Sequence, residues 1–141
     1  MTMSYTPELF RNVYWTFADQ AYGDPDAFMN ALRAYHASFD LNGNEPDIDW
    51  DAVCLESASV VFQYAIFPKT EDEDIEEKFE RVDSDNGESF TAKELLFKMH
   101  NLIGYKYLAD EDNHFFEGLT YMQDQDPEFE GIPIYFVDAG S

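Results

Sequence analysis

Three kinds of residue in this chain could do chemistry: clustered carboxylates, histidines and a lone thiol. The carboxylates are densest in Glu71-Asp72-Glu73-Asp74 with Glu76 and Glu77, in Asp110-Glu111-Asp112, and around Asp124, Asp126, Glu128 and Glu130. Spaced along a folded chain, such clusters can present a negative face to the groove of a basic protein, where complementary charge speeds encounter and selects the partner. Each cluster taken singly is also what a solvated loop looks like. Their sum is harder to assign to solvation: 30 acidic residues against 8 basic ones leave a formal net charge of −22. Solubility alone calls for a magnitude of roughly 2–8 in a small domain. Self-repulsion opposes compaction, so a use for the charge is expected. That use is either a basic partner or adaptation to high internal salt, which screens the repulsion. The scarcity of Lys fits salt adaptation, whereas 13 Phe and 9 Tyr fit it poorly.

The neutral-pH bases are His36, His100 and His114. His36 and His100 fall beside apolar positions on predicted helices, where a structural histidine is expected. His114 stands near Asp110, Asp112 and Glu117, so an acid/base pair with Glu117 would make a small hydrolase or lyase. No HExxH, GxSxG or nucleotide-binding glycine loop accompanies it. A non-catalytic protein without cofactor or metal is therefore the expectation. Asp83-Ser84-Asp85-Asn86-Gly87 resembles half an EF-hand loop, but Gly87 in sixth place puts Val82 at the first ligand position. Asp47, Asp49 and Asp51 alternate without the glycine and terminal glutamate of such a loop. Cys54 has no activating partner nearby and should pack as a small apolar residue. As the single cysteine it excludes an intramolecular disulfide and suits a reducing compartment, the cytoplasm by default. Trp50, Tyr121 and Phe129, set among acids, could anchor an interface.

The eight cations stand singly, as Arg11, Arg33, Lys69, Lys78, Arg81, Lys93, Lys98 and Lys106. With no basic stripe to neutralise phosphates, nucleic acid and anionic membrane are excluded as partners. No uncharged apolar run approaches the roughly 20 residues of a membrane helix, and the first residues lack the pattern of a secretory signal.

At 141 residues and 45% hydrophobic, the chain should form one domain over residues 1–141. Its elements predict an α+β fold: an N-terminal helical hairpin packed on a mostly antiparallel sheet of about four strands, with one intervening helix. The hairpin rests on Thr6-Pro7 followed by Phe10, Val13, Tyr14, Phe17 and Ala21 up to Gly23, then on Asp24-Pro25 followed by Phe28, Leu32, Tyr35 and Phe39. Residues 40–51 read as a loop with a short helix around Trp50, Val53 and Cys54. The run Ser59 to Phe67, β-branched and aromatic on both alternations, predicts a central strand covered on both faces. Ile75 to Val82 reads as a more exposed strand, ended by a tight Asn86-Gly87 turn. Thr91 and Glu94 form a capping box, flanked by the staple pair Phe90 and Leu95, for a helix running to Gly104. Strands are expected around Gly118 and over Ile132 to Val137, where Pro133 points to an edge or a strand start.

The C-terminal half, with the capped helix Phe90–Gly104, the stretch Asp110 to Leu119 and the close Gly131 to Ser141, resembles the small acidic immunity proteins of bacterial toxin systems. The resemblance implies a cytoplasmic protein that binds and neutralises one cognate toxin, often a basic nuclease, without catalysing a reaction.

Overall fold

In a computed structural model of the protein the described residues are 5–11, 13–18, 20–38, 49–66, 70, 72–109, 114–122, 127–129 and 131–140. In chain order they form β1 (Glu8–Leu9), β2 (Trp15–Thr16), α1 (Pro25–Ala37), β3 (Val53–Leu55), β4 (Ser59–Ile66), β5 (Glu76–Asp83), β6 (Phe90–Thr91), α2 (Ala92–Met99), a π-helical segment His100–Leu108, β7 (Phe115–Met122), a 3-10 turn Pro127–Phe129 and β8 (Ile134–Gly140). The main sheet has six strands in the order β1-β7-β8-β4-β5, with β2 also on β7; β3 and β6 make a separate two-stranded sheet. Only the β4–β8 pair is parallel among these ladders.

The expected N-terminal helical hairpin is not there, and the sheet is larger than four strands. Of the hairpin's two helices, the second exists: Asp24 caps α1 by accepting from the Ala27 amide, and Phe28, Met29 and Leu32 face the core. Phe39 lies outside the described residues. The first helix is replaced by two short strands laid end to end along β7, pairing Leu9 with Leu119 and Trp15 with Phe116. Burial explains the difference, because Val13, Trp15 and Phe17 are buried while Tyr14 is exposed. That is the period of two proper to a strand, although Phe10, Val13, Tyr14 and Phe17 also fit helical spacing. Phe10, at φ 62°, kinks the chain between the two strands. The Asn86-Gly87 turn likewise joins β5 to β6, strands of different sheets, and is not a hairpin.

Two further expectations shift. Val53–Leu55 is a strand paired with β6, not a short helix. The carbonyls of Trp50 and Ala52 accept from the amides of Lys93 and Ala92, while Thr91 Oγ1 accepts from Glu94. Three of the four amides that a helix start leaves open are thus satisfied. Glu94 does not complete the capping box in the usual way, since its carboxylate accepts from the Asp85 amide and Lys98. β4 is buried on both faces as read, with Val60, Phe62 and Tyr64 in the core and Val61 on the other face against Ile134. β8 is an interior strand, and Pro133 sits just before its start, giving its carbonyl to the Val61 amide.

Gly104 does not stop the helix. The backbone passes through it as a π-helix to Leu108, with His100, Ile103, Gly104 and Leu108 buried. The wider i→i+5 winding brings Gly104 against the ring of Phe17, and a Cβ there would lie 2.6 Å from Phe17 Cε1. Phe17 is itself 0% exposed and has no free space to swing into. Gly104→Ala is therefore expected to destabilise the fold by about 1–3 kcal/mol through overpacking. Urea unfolding measures it, and an unchanged midpoint would refute the close packing.

Candidate functional site

The charge on the surface follows from what the cations do. Lys98 Nζ donates to Asp85, Glu94 and the Asp83 carbonyl at 2.7–2.8 Å. Burial works against its charge, yet the hydrogen bonds to Asp85 and Glu94 more than offset this and hold its pKa above the ordinary lysine value. Lys93 bridges Asp26 and Asp51, and bonding to those carboxylates raises its pKa too. Arg11 pairs with Glu8 and Asp138, Arg81 with Asp83 and Lys78 with Glu76. The hydrogen bond from Ser59, then that from Arg81, keeps the Asp83 carboxyl below its usual range. Exposed pairs of this kind add little stability. Their effect is on the field: cations already engaged leave the remaining carboxylates uncompensated.

Asp72, Glu73 and Asp74 are exposed and lead into β5, whose first residues Glu76 and Glu77 are exposed as well. Glu71, Asp110, Glu111, Asp112, Asp124 and Asp126 lie outside the described residues, as do Glu130 and Asp47. Of the acidic positions read from the sequence, Glu77 and Glu128 are brought together. With Glu80 they line a cleft of about 400 Å³ at β5, the end strand of the main sheet among the described residues. Its other walls are Tyr64, Lys78, Phe79, Tyr107 and Phe129. Tyr64 and Tyr107 stack with ring centres 5.5 Å apart and 20° between planes, and Phe79 meets Phe129 at 5.6 Å. Carboxylates beside aromatic faces suit the cationic end of an Arg or Lys, which draws on both ion pairing and the ring quadrupole.

Glu80, Tyr64 and Tyr107 were not singled out from sequence. Alternation along β5 was the available signal: Glu76, Lys78 and Glu80 share one face, and Glu77, Phe79 and Arg81 the other. Of the three proposed aromatic anchors, Phe129 lines the cleft, Trp50 packs on the core, and Tyr121 sits between Tyr5 and Tyr135.

His114 directly precedes β7 and Glu117 lies within it. The His114 ring lies on Phe115 and its carbonyl accepts from the Phe17 amide. The Glu117 carboxylate lies over Gly140, and its backbone carbonyl accepts from Arg11. A second cleft, about 340 Å³, opens beside Glu117 between Arg11, Tyr14, Trp15 and Phe115. Cys54 is packed against the core, and burial pushes its thiol up to about 12. Among the described residues no group of three or more His, Cys, Asp or Glu side chains is arranged to hold a metal ion, and no helix is long and apolar enough to cross a membrane. Compared with known proteins, the chain matches no family model, no curated sequence and no solved structure.

Burial, then the neighbouring Tyr107 and Glu80, raises the Tyr64 hydroxyl from the ordinary 10 to about 12. The proton is held more tightly folded than unfolded, so this contribution to stability is complete below pH 10 and is lost as pH rises to about 12. Denaturant unfolding across that window should show a decline that Tyr64→Phe makes shallower. An identical decline in the variant would place Tyr64 outside the buried, proton-holding wall of the cleft.

Proposed function

We propose that this protein is a non-catalytic acidic binding protein that docks on a basic partner protein and neutralises it by occlusion. A cognate bacterial toxin met in the cytoplasm, as for the immunity proteins, is the partner that best suits it. The observation that carries this reading is the cleft at the β5 edge, where Glu80 stands with the stacked Tyr64 and Tyr107 on one face of the sheet and Glu77 and Glu128 with Phe79 and Phe129 on the other. It offers carboxylates beside aromatic rings to an Arg or Lys side chain, at the end of a surface already rich in acid. The exposed run Asp72 to Glu77 beside it extends the field that would steer a basic protein toward the cleft. Long-range attraction sets the association rate, and the aromatic walls set the lifetime of the complex.

Affinity capture from the native lysate at moderate salt should retain one basic protein. Against that protein, replacing Glu77, Glu80 and Glu128 together by Gln should slow association about tenfold and flatten its salt dependence. Retention of nothing, or unchanged kinetics in the triple variant, would defeat the reading.

A further inference from the structure

β5 ends the main sheet among the described residues, and its backbone phase can be read directly. The Ser84 amide donates to the Ala58 carbonyl, and on the other side of β4 the Val61 amide donates to Pro133. The β4–β5 register is unbroken from Ser59↔Asp83 to Ile66↔Glu76. Even-numbered residues of β5 therefore bond β4, while Glu77, Phe79 and Arg81 turn their N–H and C=O groups outward. Charges on an edge strand usually discourage pairing. Here they are ordered so that a two-fold axis at Phe79 makes them complementary.

We propose that two copies of the chain pair antiparallel through β5 about Phe79. In that register Phe79 meets Phe79 of the second copy and Glu77 meets Arg81, all on one face of the extended sheet. Lys78 meets Glu80 on the other face. Each of these cross-strand pairs is of a kind that stabilises an antiparallel ladder. A slip of one residue would oppose Glu76 to Asp83 and Lys78 to Arg81, so the charges also select the register. The interface is isologous and closes at two copies. It covers the edge on which the cation-binding cleft opens, so dimer and basic partner would compete; the pairing itself does not depend on the partner reading.

Two bodies of net charge −22 repel strongly at long range. The screening length falls from about 30 Å at 0.01 M salt to about 3 Å at 1 M, leaving only the contacting pairs. Salt should thus promote dimerisation, whereas it weakens binding of a basic partner.

Sedimentation velocity of the purified chain at about 0.01 M and about 0.5 M NaCl tests this. The dimer fraction should rise several-fold with salt. Glu77→Arg or Arg81→Glu alone should leave the chain monomeric, and an equimolar mixture of the two variants should restore the dimer. Because Arg81 also bonds Ser59 and Asp83, Lys78→Glu, which loses only an exposed pair with Glu76, provides an independent disruption. A wild-type chain that is monomeric at both salts overturns the proposal, even if an arginine-rich peptide binds β5. So does a dimer that survives all three single substitutions, or a mixture that stays monomeric.

Discussion

The interaction on which the rest of the structure depends is the pair of hydrogen bonds made by the buried ring of His100. Its Nδ1 accepts from the Trp15 indole at 2.9 Å, which leaves the proton on Nε2 to be donated to the Gln20 carbonyl at 2.8 Å. Trp15 lies on a two-residue strand that a single ladder contact would hold poorly. The imidazole ties it to the start of the π-helix, and Phe28, Tyr22 and Tyr35 close around the indole with ring centres 5.2–6.2 Å apart. A second histidine also reaches the N-terminal segment, since His36 Nε2 on α1 accepts from the Tyr14 amide. Two residues that could have been bases are thus spent on joining the N-terminal segment to the helices. A buried polar group with its partners present rigidifies a core, and one deprived of them is costly.

From that anchor the path to the surface is short. The π-helix that begins at His100 carries Gly104, which admits Phe17, and then Tyr107, which stacks on Tyr64 and forms one wall of the cleft. The aromatic content that lets so acidic a chain fold therefore also furnishes the non-ionic half of its candidate binding site. Lys93 and Lys98 do the opposite service, pairing with Asp26, Asp51, Asp85 and Glu94 around α2. Asp72, Glu73 and Asp74, ahead of β5, and Glu77 on it stay exposed.

What the residues made legible was the local chemistry. Asp24-Pro25 and Thr91 each start a helix where capping requires it, and the β-branched run of β4 lies in the sheet interior. The N-terminal strands escape the sequence because the apolar residues Phe10, Val13, Tyr14 and Phe17 keep helical spacing while Val13, Trp15 and Phe17 alternate as in a strand. Only the burial of Trp15, decided by His100 eighty-five positions away, chooses between them. Gly104 read as a stop because a glycine needed for close packing and one needed for a left-handed turn look alike in one dimension. The cleft was half legible: Glu77 and Glu128 stood out as acids, but Tyr107 comes from the π-helix and Glu128 from the 3-10 turn, and only the fold brings these to the β4–β5 pair.

The Trp15–His100 hydrogen bond welds the N-terminal strands to the helical layer. A double-mutant cycle combining Trp15→Phe with His100→Leu, followed by denaturant unfolding, tests it most directly. The two substitutions should be strongly non-additive, with a coupling of about 1 kcal/mol or more, as expected for residues sharing a buried hydrogen bond. Effects that add to within about 0.3 kcal/mol would mean that the two side chains do not share this bond.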